Sequence, residues 1–336
     1  VQNNEKNIMD FLDDYTSKSN NNATPKPKVP KENVKIENNF IPNLKNNIDY
    51  NIPDTKTVNN HNHDSNKFED VVMSDLPLYD FYKPGVKIKF RECTVKEIQQ
   101  YSTLDESSIF DFKDKLNDII SNCVLYYNDD GTLGTYEQIY EGDRVWLIYL
   151  IREKTFPKGK NLSVPIKYKD DNGEEKSVKI DLIRENFEKW KNQEIMEFFD
   201  LNKRCFLFNT ILNDKTIYMK PPTIGMKRCF DHYLKIKKEN KQDINTTFFK
   251  IAPFLNPDMT YMNWEDFQKY EKWFTEELSP QEYSFLFDII NNHLKIGIRG
   301  IKKNMGSSVL RSNKMYPNRL STIFLLPNAF RLYIRQ

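Results

Sequence analysis

Asp143-Arg-Val-Trp-Leu-Ile-Tyr-Leu-Ile-Arg-Glu-Lys154 decides how the rest of the chain must be arranged. Asp143 sits where a helix N-cap belongs, and the apolar residues from Val145 to Ile151 cover every face of the turn that follows. A helix with no polar face must be surrounded by other elements, so this one is expected to be the buried hub of a body. Its apolar run is bounded by charges at both ends. It is far shorter than the roughly 20 residues that span a bilayer, and no membrane role is expected.

Elements that could surround the hub lie on both sides. Upstream, Val86-Lys-Ile-Lys-Phe90 alternates as a half-buried strand after the Pro84-Gly85 turn. Thr94-Val-Lys-Glu97 has the spacing of a capping box and opens a short helix. From about Glu106 to Cys123, Ile109, Phe112, Leu116, Ile119, Ile120 and Cys123 form one helical stripe, before Asn128-Asp-Asp-Gly131 breaks the chain. Downstream, Val164, Ile166 and Tyr168 alternate, Asp171-Asn-Gly173 turns, and Val178, Ile180 and Leu182 alternate back, which is a β-hairpin pattern.

A helix is expected over 185–200, followed by paired strands over 205–212 and 216–219. A helix capped by Thr223 should run to about Lys238, and further helices are expected near 247–255, 264–278 and 279–293. Ser279-Pro280 marks the start of the last one. A final strand is expected over 294–298, with 303–320 polar and irregular. The fold class is α+β: a helix-rich body with small antiparallel hairpins. The body is expected over 76–300, with a sub-boundary near 200–222, and a C-terminal docking extension over 301–336.

Residues 1–75 read differently. Asn clusters and Thr24-Pro-Lys-Pro-Lys-Val-Pro-Lys31 leave too little apolar surface to offset the entropy of ordering the chain, so an extended, disordered arm is expected. Within it, Ile8, Phe11, Leu12 and Tyr15 share one helical face, either by chance or as a short helix that folds into a partner's groove. Phe40, Ile41, Ile48 and Tyr50 mark two extended apolar patches. Phe324 and Phe330 mark apolar ends near the C-terminus that need a neighbour to cover them. These ten residues are the candidate partner-binding set.

The chemistry-bearing residues are sparse. Ten glycines in 336 residues form no phosphate-binding loop. The His61-Asn-His-Asp64 group reads as solvated, and His232 and His293 have no ligand partner close in sequence. The four cysteines (Cys93, Cys123, Cys205, Cys229) are far apart and read as buried small hydrophobes in a reducing compartment, not as zinc ligands or disulfides. No secretory signal pattern is visible after Val1. No catalytic residue, metal or cofactor is expected, and the chain does not read as an enzyme.

A net charge of +2 points to no strong polyanion partner. Nucleic acid is therefore an unfavoured alternative. It would use the helix carrying Lys227, Arg228, Lys235, Lys237 and Lys238, with Tyr233 stacking on a base.

The order of these features from Val86 resembles the baseplate hub assembly proteins of contractile-tailed bacteriophages of the T-even type. The likeness is carried by Arg91-Glu-Cys-Thr-Val-Lys-Glu97, by Ile119-Ile-Ser-Asn-Cys-Val124, by Leu150-Ile-Arg152 and by Met219-Lys-Pro-Pro-Thr-Ile-Gly-Met226. It covers roughly 85–300; the N-terminal arm and the tail after 300 fall outside it. It implies a structural or assembly subunit of the tail baseplate or central hub, found in the virion tail or in the host cytoplasm during assembly. It acts by contact with other tail proteins, and with itself as a further option, and needs no cofactor. Arg152 is expected to anchor the hub helix, with a hairpin carboxylate as its partner, and Pro221 and Pro222 to anchor the entry to the Thr223 helix.

Overall fold

A computed structural model of the chain describes residues 67–312, apart from 103–108, 158–162, 170–172, 182, 191–195, 210–215, 256–263, 291–296 and 306–307. Ile8, Phe11, Leu12, Tyr15, Phe40, Ile41, Ile48, Tyr50, Phe324 and Phe330 lie outside the described residues, as do His61, His63 and His293.

The body is α+β, with small antiparallel sheets among seven described α-helices. Strand β1 (Glu69–Asp70) pairs with β2 (Lys87–Phe90), which pairs with β3 (Val124–Tyr127). Alternation works as expected in β2: Ile88 and Phe90 are buried while Lys87 is exposed. Gly85 makes the preceding turn at φ +97, and an added Cβ would stand 3.0 Å from the Asp129 carbonyl oxygen. Helices α1 (Val95–Ser102) and α2 (Ile109–Cys123) connect β2 to β3.

The hub is α3 (Arg144–Thr155), with every residue from Arg144 to Ile151 buried. Asp143 occupies the N-cap position, but its carboxylate makes no capping bond. It accepts instead from the Leu78 backbone N–H and the Tyr82 hydroxyl, both at 2.9 Å. The expected local cap is thus spent on a long-range tie that fixes 78–82 against the hub.

The hairpin is β4 (Ser163–Lys169) with β5 (Glu175–Asp181), and Gly173 takes φ +80 at its turn. The expected helix over 185–200 does not form. The chain instead makes β6 (Phe187–Trp190) and the short β7 (Phe199–Asp200). Phe187 and Trp190 fit a helical stripe equally well, but β6 has an extended partner over a hundred residues later. It pairs antiparallel with β10 (Gly297–Met305).

The same pairing corrects the C-terminal expectation. β10 continues across residue 300 and into the stretch expected to be irregular, and β11 (Ser308–Ser312) folds back on it. These polar strands lack clean alternation, so only their pairing reveals them. The last three-stranded sheet is β7 with β8 (Cys205–Asn209) and β9 (Thr216–Met219).

The remaining helices are α4 (Ile224–Glu239), α5 (Thr246–Leu255), α6 (Trp264–Lys272) and α7 (Pro280–Asp288). α6 passes into a π-helical turn at Trp273–Glu277, where a single helix to 278 was expected. The Thr223 hydroxyl caps α4 by accepting from Met226 N–H at 3.2 Å. Ser279 and Glu282 form a complete capping box on α7, with Pro280 at its first position. One hydrophobic cluster runs from Val71 to Ile290, so the core is continuous through the sub-boundary expected near 200–222.

Candidate functional site

Three stretches far apart in sequence meet where β2 runs into α1. Arg91 lies at the end of β2, and its guanidinium grips Glu97 with two bonds, at 2.9 and 2.6 Å. The same guanidinium donates to the Asn122 carbonyl at 2.7 Å, and the Arg91 N–H donates to the Cys123 carbonyl at 2.9 Å. These are the carbonyls that a helix leaves without partners at its C-terminal end, here the end of α2. A cation placed there also faces the negative end of the helix dipole. The Glu97 hydrogen bond is the largest influence raising the Arg91 pKa.

Glu97 completes the capping box anticipated from sequence: its carboxylate accepts from Thr94 N–H at 2.7 Å, while its own N–H donates to the Thr94 hydroxyl at 3.3 Å. Burial works against its charge, but the Arg91 and Thr94 hydrogen bonds hold its pKa below the usual carboxylate value.

Cys93 and Cys123 complete the junction. Their sulfur atoms stand 3.7 Å apart, and both residues are buried. The contact with Cys93, followed by burial, pushes the Cys123 thiol well above its ordinary range. The Cys93 N–H donates to the Thr155 hydroxyl at 3.0 Å, which in turn donates to the Ile151 carbonyl at 2.7 Å. The end of α3 is thereby tied to the same point. Sequence spacing gave no hint of the thiol pair, because 30 positions separate the two cysteines. The nearest signal was that each lies beside a recognisable boundary, the Thr94 cap and the end of the α2 stripe.

Arg152 lies in the last turn of α3. It is half-buried and lies over the Phe156 ring at 5.1 Å, and burial lowers its pKa. Its neighbour Glu153 accepts from Arg184 at 2.6 Å. The start of α3 is held by Arg144, buried and bonded to Asn117 at 2.9 Å and Glu141 at 2.8 Å. Pro221 is buried, and the Pro222 carbonyl accepts from Glu141 N–H at 3.0 Å. A further bond from Ile224 N–H to the Ile139 carbonyl, at 2.8 Å, fixes the entry to α4.

The basic residues of α4 are directed largely inward. Lys227 faces Asp231 at 3.6 Å, and Arg228 pairs with Glu137 and the Tyr136 hydroxyl. Lys237 is buried against Glu271 at 2.7 Å. The Tyr233 ring is buried and stacked on Phe267, with centroids 4.7 Å apart, so it offers no face to a base. Lys235 is exposed and Lys238 half-buried. Arg228 and Lys237 are thus ties between α4 and its neighbours, while Lys227 pairs within α4.

Among the described residues, no helix is long and apolar enough to cross a membrane. Compared with protein-family models, with curated proteins and with solved structures, the chain gives no match.

Proposed function

We propose that the chain is a structural or assembly subunit of the baseplate or central hub of a contractile phage tail, working by protein–protein contact. The observation that carries this reading is the junction closed by Arg91. Three of the four stretches that carry the likeness to the baseplate hub family, 91–97, 119–124 and 150–152, sit far apart in sequence. They lie side by side in space, through the Arg91–Asn122, Arg91–Cys123, Cys93–Thr155 and Thr155–Ile151 bonds. Motif positions that pack against one another describe a scaffold, which suits a protein whose task is to hold shape while extended segments engage neighbours. The arm, with its apolar residues near 8–15 and 40–50, supplies such segments, which can wrap large surfaces at the cost of ordering. On this reading the protein resides in the tail, or in the host cytoplasm while tails are built.

Cross-linking and mass spectrometry of the chain in lysates of cells producing the particle test the proposal. Cross-links to tail-tube and baseplate proteins are expected, and deleting residues 1–75 should remove most of them while the body remains folded. Cross-links confined to unrelated proteins would defeat the assignment. Retention of every tail cross-link by the truncated chain would defeat the role given to the arm.

A further inference from the structure

We propose that Cys93, Cys123 and one carboxylate oxygen of Glu97 form a binding site for a soft divalent cation of the zinc class. The inference is independent of the baseplate reading. Two thiolates bound to tetrahedral zinc, at about 2.3 Å each, stand about 3.8 Å apart. The Cys93 and Cys123 sulfurs already stand at 3.7 Å. One ligand atom from each of the three residues lies within 4.8 Å of the other two, so about an ångström of side-chain adjustment brings the oxygen into a shared coordination sphere.

Glu97 has an oxygen to give. Its Oε2 accepts from Thr94 N–H, the Thr94 hydroxyl and Arg91 Nη1, whereas Oε1 accepts from Arg91 Nη2 at 2.6 Å. An oxygen with one such donor retains a lone pair for a metal, and a carboxylate oriented by hydrogen bonds to its outer side is the usual arrangement around bound metals.

Charge also balances. Two thiolates and a carboxylate carry three negative charges, which a divalent ion and the Arg91 guanidinium cancel. Binding breaks two S–H bonds, releases both protons to solvent, forms two metal–sulfur bonds and changes no oxidation state. The fourth position would go to water from the Glu97 side, where the carboxylate keeps 15% side-chain exposure. A redox switch fits the same pair less well. Thiol–disulfide exchange needs an accessible thiol, and Cys123 is fully buried.

The test is titration of the full, reduced chain with Co(II), followed by displacement with zinc. One ion per chain and a thiolate-to-cobalt charge-transfer band are expected. Cys93→Ser and Cys123→Ser should each weaken binding by at least about 100-fold, the upper end of what altering the surroundings of a ligand costs. The control C205S/C229S should bind as the parent does. X-ray absorption on the zinc-loaded parent chain, which needs no variant to fold, should count two sulfur neighbours. Absence of the charge-transfer band in the parent, a band that survives both single substitutions, its loss in C205S/C229S, or a sulfur count other than two would each overturn the site. So would a Cys93–Cys123 disulfide that forms in air equally fast with and without zinc.

Discussion

The two halves of the body hold together by different means. From Val71 to Thr155, the core is threaded by directional polar contacts: Asp143 with Leu78 and Tyr82, Arg144 with Asn117 and Glu141, and Arg91 with Glu97 and the end of α2. In the α4–α7 region, rings dominate. Phe230 meets Phe248, Phe249 and Phe267, and Phe248 also meets Tyr270 and Phe274, all with centroids between 4.8 and 6.3 Å. Buried polar contacts tolerate only one arrangement of their partners, because an orphaned donor costs about 1–3 kcal/mol. Ring contacts give much apolar burial with less geometric demand. The first region therefore fixes a unique junction, and the second supplies bulk stability.

The largest effect should come from breaking the aromatic region. Phe248 is fully buried, and Phe248→Ala should lower unfolding free energy by about 3–5 kcal/mol in a urea titration. Asp143→Ala attacks the polar region instead. It strands the Leu78 N–H and the Tyr82 hydroxyl, and a loss of about 2–4 kcal/mol is expected. The contrast is sharpened by conservative changes. Phe248→Leu keeps most of the apolar burial and should recover most of the loss. Asp143→Leu keeps bulk but no acceptor, and should recover little. Recovery by Leu at position 143 equal to that at 248 would dissolve the distinction.

How much of this was legible from the residues follows the same divide. Local signals were reliable. The α2 stripe from Leu116 to Cys123, the all-apolar hub, the Thr94, Thr223 and Ser279 caps and the Gly173 turn all appear where spacing placed them. Signals that depend on a distant partner were not. Residues 187–190 have helical spacing, but β10 recruits them as a strand. Asp143 looked like a cap for its own helix and serves a segment some sixty positions earlier. Cys93 and Cys123 looked isolated because helical turns lie between them. Lys237 and Tyr233 looked like a surface and prove to be partners of Glu271, 34 and 38 positions away. No window along the chain contains both members of such a pair.

Acid should loosen the polar region and the Lys113–Asp231 tie that joins it to α4. The folded pKa of Glu97 is depressed: burial opposes its charge, and Arg91 and Thr94 outweigh burial. Asp231 is depressed as well: burial again opposes its charge, but Lys227 and Lys113 prevail. A depressed carboxylate contributes stability that is fully present above its unfolded pKa, about 4 for these groups, and that drains away as pH falls through the lower folded value. Melting temperature should therefore begin to fall below about pH 4. Arg91→Gln should cost about 2–3 kcal/mol at neutral pH and flatten the part of this acid slope that Glu97 supplies. An unchanged slope in R91Q would show that the Arg91–Glu97 pair is not its source.

The smallest effect makes the sharpest comparison, because both regions use one motif. Thr94 with Glu97 opens α1, and Ser279 with Glu282 opens α7. Removing the capping hydroxyl typically costs about 1 kcal/mol. In Thr94→Ala, Glu97 keeps both Arg91 bonds and the Thr94 backbone N–H, so its carboxylate stays fixed. In Ser279→Ala, Glu282 keeps the Ser279 backbone N–H but loses the 2.8 Å hydroxyl bond, and its N–H loses the Ser279 acceptor, at a buried position where an unmet polar group costs more. Ser279→Ala should then be the costlier of the two by a few tenths of a kcal/mol, within the roughly 0.5–2 kcal/mol range of cap removal. Native-state hydrogen exchange at the first turns of α1 and α7 measures the two costs in one molecule. A Thr94→Ala cost equal to or above that of Ser279→Ala would mean that Arg91 does not hold Glu97 in place once the cap is gone, and that the junction is built less rigidly than its bond lengths imply.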